Sequence, residues 1–165
     1  MKKIIVIIIC FVIGVLVYNK SEEIIIPNDA IRIRIIANSN SIKDLYEKNK
    51  LKDNIKKELY ELINQANSSI EANQIIEKNM DYIEKIVSSN SNNHQIKYGI
   101  NHFPRKEYKG VIYPEGDYQS LVITLGSGLG DNWWCVLYPP ICMINDNENI
   151  DDVEYRLFVS DIINT

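Results

Sequence analysis

Gly126–Cys142 reads GSGLGDNWWCVLYPPIC, and the fold turns on how this stretch is read. Gly126, Gly128 and Gly130 alternate with Ser127 and Leu129. The polar pair Asp131-Asn132 follows, then both tryptophans of the chain, Trp133 and Trp134, then Cys135, with Pro139-Pro140 just before Cys142. Glycine enters turn geometries closed to other residues, so the spaced glycines mark a turn, and the prolines mark a second one. The runs on either side of the glycines, Tyr118–Leu125 and Trp133–Leu137, are β-prone. The local expectation is strand, glycine turn, strand, proline turn, with the two strands as antiparallel neighbours. On a strand, Trp133 and Trp134 point to opposite faces, one toward a core and one away from it. The outward ring is a candidate protein or glycan contact; the plainer alternative has it covered by helices or by the long turn.

Upstream, Ile31-Arg32-Ile33-Arg34-Ile35 alternates apolar and basic residues with period two, as a half-buried strand does. Arg32 and Arg34 share the face opposite the isoleucines, either as a solvated face or as a contact for an acidic partner or an anionic membrane surface. Ala37-Asn38-Ser39-Asn40-Ser41 ends the strand and opens a helix, with Ser41 three residues before Asp44 at capping-box spacing. Leu51, Ile55, Leu59, Leu62, Ile63 and Ala66 recur at helical spacing. Ser68 and Glu71 offer a second box, and the helix after it carries Ala72, Ile75, Ile76, Met80, Ile83, Ile86 and Val87 to about Val87. Gln95–Phe103 reads as a strand and Phe103–Gly116 as a long turn-rich connection. Val153-Tyr155-Leu157-Val159 alternates once more as a possible last strand. The expected fold is α+β: a two-helix hairpin packed on one face of a mostly antiparallel sheet, in the order β-α-α-β-β-β-(β), after an N-terminal signal or anchor segment.

The chain has 165 residues, 45% hydrophobic and 24% charged, with a net charge of −4. That charge argues against a nucleic-acid partner, which calls for a basic face. Lys2 and Lys3 precede an uncharged run from Ile4 to Tyr18, the layout of an export signal, without an A-x-A-like cleavage site after it. Residues 1–20 are therefore read as a signal peptide or an uncleaved membrane anchor, 21–30 as a spacer, and 31–165 as a single globular α+β domain. Either way the domain lies outside the cytoplasm, with membrane attachment through the N-terminal segment if it is uncleaved. In an oxidising compartment Cys135 and Cys142, flanking the Pro139-Pro140 turn, are expected to form a disulfide; the alternative is a pair of buried thiols. Cys10 belongs to the leader.

Three enzymatic chemistries have residues to consider in this sequence. A phosphate cradle at Gly126-x-Gly128-x-Gly130 requires a helix after the glycines, and Trp133–Leu137 is β-prone. A cysteine nucleophile activated by His94 or His102 requires a free thiol. No His, Cys, Asp or Glu cluster has metal-ligand spacing, and Asp151-Asp152 reads as solvated. The expectation is a protein that is not an enzyme, with no cofactor and no metal.

Three segments together resemble one family. They are Ala37-Asn38-Ser39-Asn40-Ser41 after an Ile/Arg strand, Tyr113-Pro114-x-Gly116-x-Tyr118, and Gly128-x-Gly130-x-Asn132-Trp133-Trp134-Cys135-Val136-Leu137-Tyr138-Pro139-Pro140-Ile141-Cys142. They resemble the stage II sporulation protein R family, over the chain from its leader to about Val159. The resemblance implies a protein made in the forespore of endospore-forming bacteria and exported into the space between the two membranes. There it would activate, by contact, a membrane-embedded aspartic protease of the mother cell that processes the sigma-E precursor. Asn40 departs from the family pattern, where an aspartate is expected, and the polar C-terminal end is short. The family pattern does not assign contact residues. Local chemistry nominates Arg32, Arg34, Asp131, Asn132, Trp133 and Trp134. The reading kept beside it is a secreted module that binds cell wall or glycan through exposed aromatics.

Overall fold

The computed structural model of the chain describes residues 24–108 and 111–141. The leader, Cys142 and the expected last strand at Val153–Val159 lie outside the described residues. Two compact units emerge. The smaller, from residues up to Ile26 and Pro104–Glu115, holds β1 (Ile24–Ile25), β4 (Lys106–Tyr108) and β5 (Val111–Tyr113) in the sheet order β1-β5-β4. β1 pairs parallel to β5 and β4 antiparallel to it, and the Ile26 amide extends the first pairing with a 3.1 Å bond to the Ile112 carbonyl. The sequence here reads as spacer and turn-rich connection. Two- and three-residue strands leave too little alternation to read.

The larger unit carries β2 (Ile31–Ile36), α1 (Ile42–Ile63), α2 (Ser69–Lys78), α3 (Met80–Asn90), β3 (His94–Phe103), β6 (Gly116–Leu125) and β7 (Asn132–Tyr138). Its sheet runs β3-β6-β2-β7, with β3/β6 and β2/β7 antiparallel and β6/β2 parallel. It is α+β with a mostly antiparallel sheet. The parallel pair at its centre corrects the expected topology: β6 and β7 are not neighbours, because β2 lies between them. The glycine segment is thus a crossover over the end of β2 rather than a hairpin turn.

The helices start where the serines predict. The Ser41 hydroxyl accepts from the Asp44 amide at 3.1 Å and the Ser68 hydroxyl from the Glu71 amide at 3.2 Å, each filling a donor that a helix start leaves open. Leu51, Ile55, Leu59 and Ile63 of α1 return to one face every fourth residue and are buried, as are Ala72 and Ile76 of α2 and Ile83 and Val87 of α3. They close over the sheet face formed by Ile31, Ile33, Ile35, Leu121, Ile123, Leu125 and Leu137. Each of these leucine, isoleucine and valine side chains removed from water stabilises the fold by roughly 1.5–3 kcal/mol before chain entropy is charged against it.

Among the described residues three helices stand where two are expected. Apolar spacing runs through residue 79 without interruption, but the Asn79 side chain donates to the Ile75 carbonyl at 2.8 Å. Its backbone leaves helical geometry, at φ −106° and ψ 15°. An asparagine that bonds its own turn competes with the helix ladder, and the helix ends there.

Candidate functional site

The pattern of β2 separates two faces. The isoleucines go to the helix side, and Arg32 and Arg34 go to the other. Along β7 the neighbours divide in the same way: Trp133 is half-buried against the helix-side core, and Trp134 stands opposite Arg34 on the other face. A direct cross-strand pair brings side chains into contact. The Arg34 guanidinium lies 4.4 Å from the Trp134 ring centroid and donates through Nε to Asn132 Oδ1 at 3.2 Å. Partial burial draws the Arg34 pKa below its ordinary value, although a guanidinium stays charged at any working pH. Stacking on the ring offsets part of that desolvation.

Arg32 differs from the outward basic residue that the alternation suggests. It is 1% exposed, with its guanidinium carbon 4.2 Å from the Phe103 ring and 4.9 Å from the Tyr118 ring. Phe103 in turn meets Trp134 edge to face at 5.2 Å and Tyr118 at 6.1 Å. Tyr118, Arg32, Phe103, Trp134 and Arg34 therefore form one unbroken line of rings and cations. The physical reason is that a buried cation needs electron-rich surroundings, and two ring faces supply them. Arg32 supports the site from beneath and is not an outer contact. Sequence reasoning passed over Phe103 and Tyr118, since nothing local ties them to β2; knowledge of the β2/β6 pairing would have found Tyr118.

Asp131 and Asn132 are exposed, at the point where the glycine crossover delivers β7. The crossover is seated on Asn38–Asn40. The Gly130 amide donates to the Ala37 carbonyl at 2.9 Å, Leu129 to Asn38 O at 3.1 Å, and Asp131 to Asn40 Oδ1 at 2.7 Å. The Ser127 amide donates to Asn38 Oδ1 at 2.8 Å. The Asp131 carbonyl accepts from the Ala37 amide at 3.3 Å and from Lys48 Nζ at 3.1 Å. Lys48 lies three residues before Leu51 on the buried side of α1, a place where the sequence gives no reason to look for a cation. Asn38 Nδ2 also donates to the Asp44 carboxylate at 3.0 Å, and Ser39 Oγ donates to the same group. The Ser39 bond, more than any other contact, holds the Asp44 pKa below the ordinary carboxylate value.

Gly126 and Gly128 take left-handed backbone, at φ 54° and 67°, and the Gly128 amide donates to the Leu125 carbonyl at 3.0 Å. Pro139 and Pro140 follow β7, with Tyr138–Pro139 cis and the Ile141 amide donating to Pro139 O at 2.7 Å. Cys135 is half-buried on the helix side of β7, and Cys142 lies outside the described residues. His94 places Nε2 2.6 Å from Glu84 Oε1 and Nδ1 2.7 Å from Ser91 O, and His102 Nδ1 is 3.0 Å from Asp117 Oδ1. Among the described residues no three His, Cys, Asp or Glu side chains gather to hold a metal, and no helix is long and apolar enough to cross a membrane.

Of the six nominated residues, Arg34, Asn132 and Trp134 are brought together on one accessible patch, with Asp131 at its margin. Arg32 is beneath it, and Trp133 faces the other way.

Residues 27–148 match the family profile described as stage II sporulation protein R. The chain is 35% identical over 133 residues to stage II sporulation protein R of Bacillus subtilis (strain 168), an alignment that takes in 77% of this chain and 59% of that protein. The chain thus spans 59% of the length of this curated relative. No solved structure matches it.

Proposed function

Since the chain belongs to the stage II sporulation protein R family, and with it to sporulation, we propose that it is an exported signal between the two cells of a sporangium. In this reading it leaves the forespore by way of residues 1–20 and acts in the space between the membranes. There it activates, by contact, a membrane-embedded aspartic protease of the mother cell that processes the sigma-E precursor. The family match across residues 27–148 is the observation that carries the proposal. It takes in the crossover, the Asn38–Asn40 seat and the Arg34–Asn132–Trp134 patch.

Contact can activate a protease only if the signal binds the active state more tightly than the inactive one. A rigid patch serves this well, because less order remains to be imposed on binding. Arg34 is held from two sides, by the Trp134 ring and by Asn132, and Asn132 follows directly on the seated crossover. We assign the outer contact to Arg34, Asn132 and Trp134, with Asp131 beside them. A disulfide between Cys135 of β7 and Cys142, on either side of Pro139-Pro140, belongs to the same proposal.

The test is sigma-E precursor processing in sporulating cells. Deletion of the protein should abolish it. Trp134→Ala and Asn132→Ala, exported at the normal level, should lower it by about tenfold, the scale of a contact worth roughly 1.4 kcal/mol. Processing that continues without the protein refutes the reading. Full activity of both variants removes the assigned surface.

A further inference from the structure

The sheet face turned away from the helices has an ordered arrangement of charge. Across its four strands Lys97 of β3, Val122 of β6, Arg34 of β2 and Trp134 of β7 stand directly opposite one another. The row on one side is Gln95, Thr124, Ile36 and Asn132, and on the other Gly99, Ser120, Arg32 and Val136. These twelve positions hold three cations and no carboxylate, in a chain whose net charge is −4. Lys97 is exposed, while Val122, Ile36, Arg34 and Trp134 are partly exposed. Two strand spacings of about 4.8 Å place the Lys97 and Arg34 backbones roughly 10 Å apart.

Arg34 is an incompletely used cation. A guanidinium has five N–H donors, and among the described residues the Arg34 hydrogen bond is the one from Nε to Asn132. Trp134 fixes the plane of the group and partial burial removes some of its water. A planar fork held in this way is suited to two parallel bonds to a carboxylate. Val122 between Arg34 and Lys97, with Ile36 beside it, offers an apolar strip between the two charges.

We propose that this row is the receptor for an acidic, extended segment of the protein partner. One Asp or Glu of that segment forks onto Arg34 above Trp134. A second acid, about 10 Å further along, meets Lys97, and apolar side chains between them rest on Val122 and Ile36. This deepens the contact surface assigned above and rests on that reading. The linear order of cation, apolar strip and cation across a pleated face fits a polypeptide with spaced acids better than a lipid surface, which presents no such spacing.

Charge reversal in sporulating cells that export the full chain tests it. Arg34→Glu and Lys97→Glu should each lower sigma-E precursor processing by on the order of tenfold or more at unchanged exported level. Arg34→Lys should fall between Arg34→Glu and the unchanged chain. Lys97 is exposed, so its reversal remains informative if Arg34→Glu fails to fold. Suppressors of Lys97→Glu are expected as Asp or Glu to Lys or Arg changes in an exported segment of the partner. Suppressors in this chain's own acidic run, Asp146–Asp152, would give the row to the chain itself and overturn the proposal. Binding of the unchanged chain to phosphatidylglycerol vesicles that is lost in Lys97→Glu would give it to lipid, with the same consequence. Normal processing in both reversals while Trp134→Ala fails would sink the acidic receptor and leave the contact surface standing. Processing that does not need the protein would remove the reading beneath it.

Discussion

Replacing Gly130 by alanine asks one methyl group to occupy space already filled by backbone. A Cβ at Gly130 would lie 2.4 Å from the Ser39 carbonyl oxygen, 2.6 Å from its carbon and 2.8 Å from the Ala37 Cβ. Gly130 does not have left-handed geometry, so φ strain contributes nothing and the cost is contact alone. Because the first two obstacles are main chain, no rotamer relieves them. The crossover must lift by at least about 0.6 Å, the gap between 2.4 Å and the 3.0 Å below which real Cβ contacts are essentially not seen. Lifting it stretches three bonds, from Gly130 N to Ala37 O, Leu129 N to Asn38 O and Asp131 N to Asn40 Oδ1. Losing two of these at about 1 kcal/mol each, with about 1 kcal/mol of residual overpacking, gives a destabilisation of about 3 kcal/mol. In urea, with a slope of about 1.5 kcal/mol/M, the midpoint should fall by about 2 M. Gly116→Ala is the control, since its Cβ would meet Tyr118 Cε2 at an ordinary 3.4 Å, and it should shift the midpoint little. A Gly130→Ala midpoint within about 0.3 M of the unchanged protein would refute the claim that the crossover is seated by backbone contact.

Other outcomes follow from the same geometry. The lowered Asp44 pKa means that the ionised carboxylate is favoured by folding, so its contribution is present above the unfolded carboxylate pKa and disappears as pH falls through the folded one. Asp44→Asn should flatten the acid limb of stability against pH, and a carboxyl NMR titration should place Asp44 below the ordinary range. Tyr98, whose hydroxyl donates to Asn73 Oδ1 at 2.8 Å, is pushed up to about 12, chiefly by desolvation. Its neutral form is favoured by folding, so the contribution holds below the unfolded value near 10 and is lost as pH rises toward about 12. Tyr98→Phe should remove that alkaline loss in chemical denaturation at graded pH. Ile55→Ala, at a fully buried position of α1, should cost about 2–5 kcal/mol by the same denaturation measurement.

The elements whose cause is local were legible in the sequence. Ser41 and Ser68 announce α1 and α2 because a hydroxyl three residues before an open amide can act only there. The Leu51-Ile55-Leu59-Ile63 spacing and the Ile/Arg alternation of β2 state which faces are buried. What was not legible depends on partners distant in the chain. β2 separates β6 from β7 because the glycine segment docks on Asn38–Asn40, far earlier in the chain, and glycine spacing alone reads equally well as a hairpin. Arg32 and Arg34 have the same neighbours in sequence, yet one is sealed between Phe103 and Tyr118 and the other opens beside Trp134; only the register of β3, β6 and β7 separates them. Asn79 reads in the sequence as one polar residue inside a helix, and only its side-chain bond to the Ile75 carbonyl marks the break.

The same docking explains how a structural loop bears on recognition. Side chains alternate along a strand, so a slip of one residue in β7 would exchange Trp133 with Trp134, burying the outer ring and exposing the inner one. The register is set where β7 begins, by the Ala37 amide on the Asp131 carbonyl, the Asp131 amide on Asn40 Oδ1, and Lys48 from α1 on the same carbonyl. Asn132 comes next, paired with Ile36, and its side chain holds Arg34. The glycines therefore need touch no partner to matter. By bringing the backbone of residues 126–130 close enough to Asn38–Asn40 to be held, they decide which tryptophan meets Arg34, and hence whether the sheet presents a fixed cation or a displaced one.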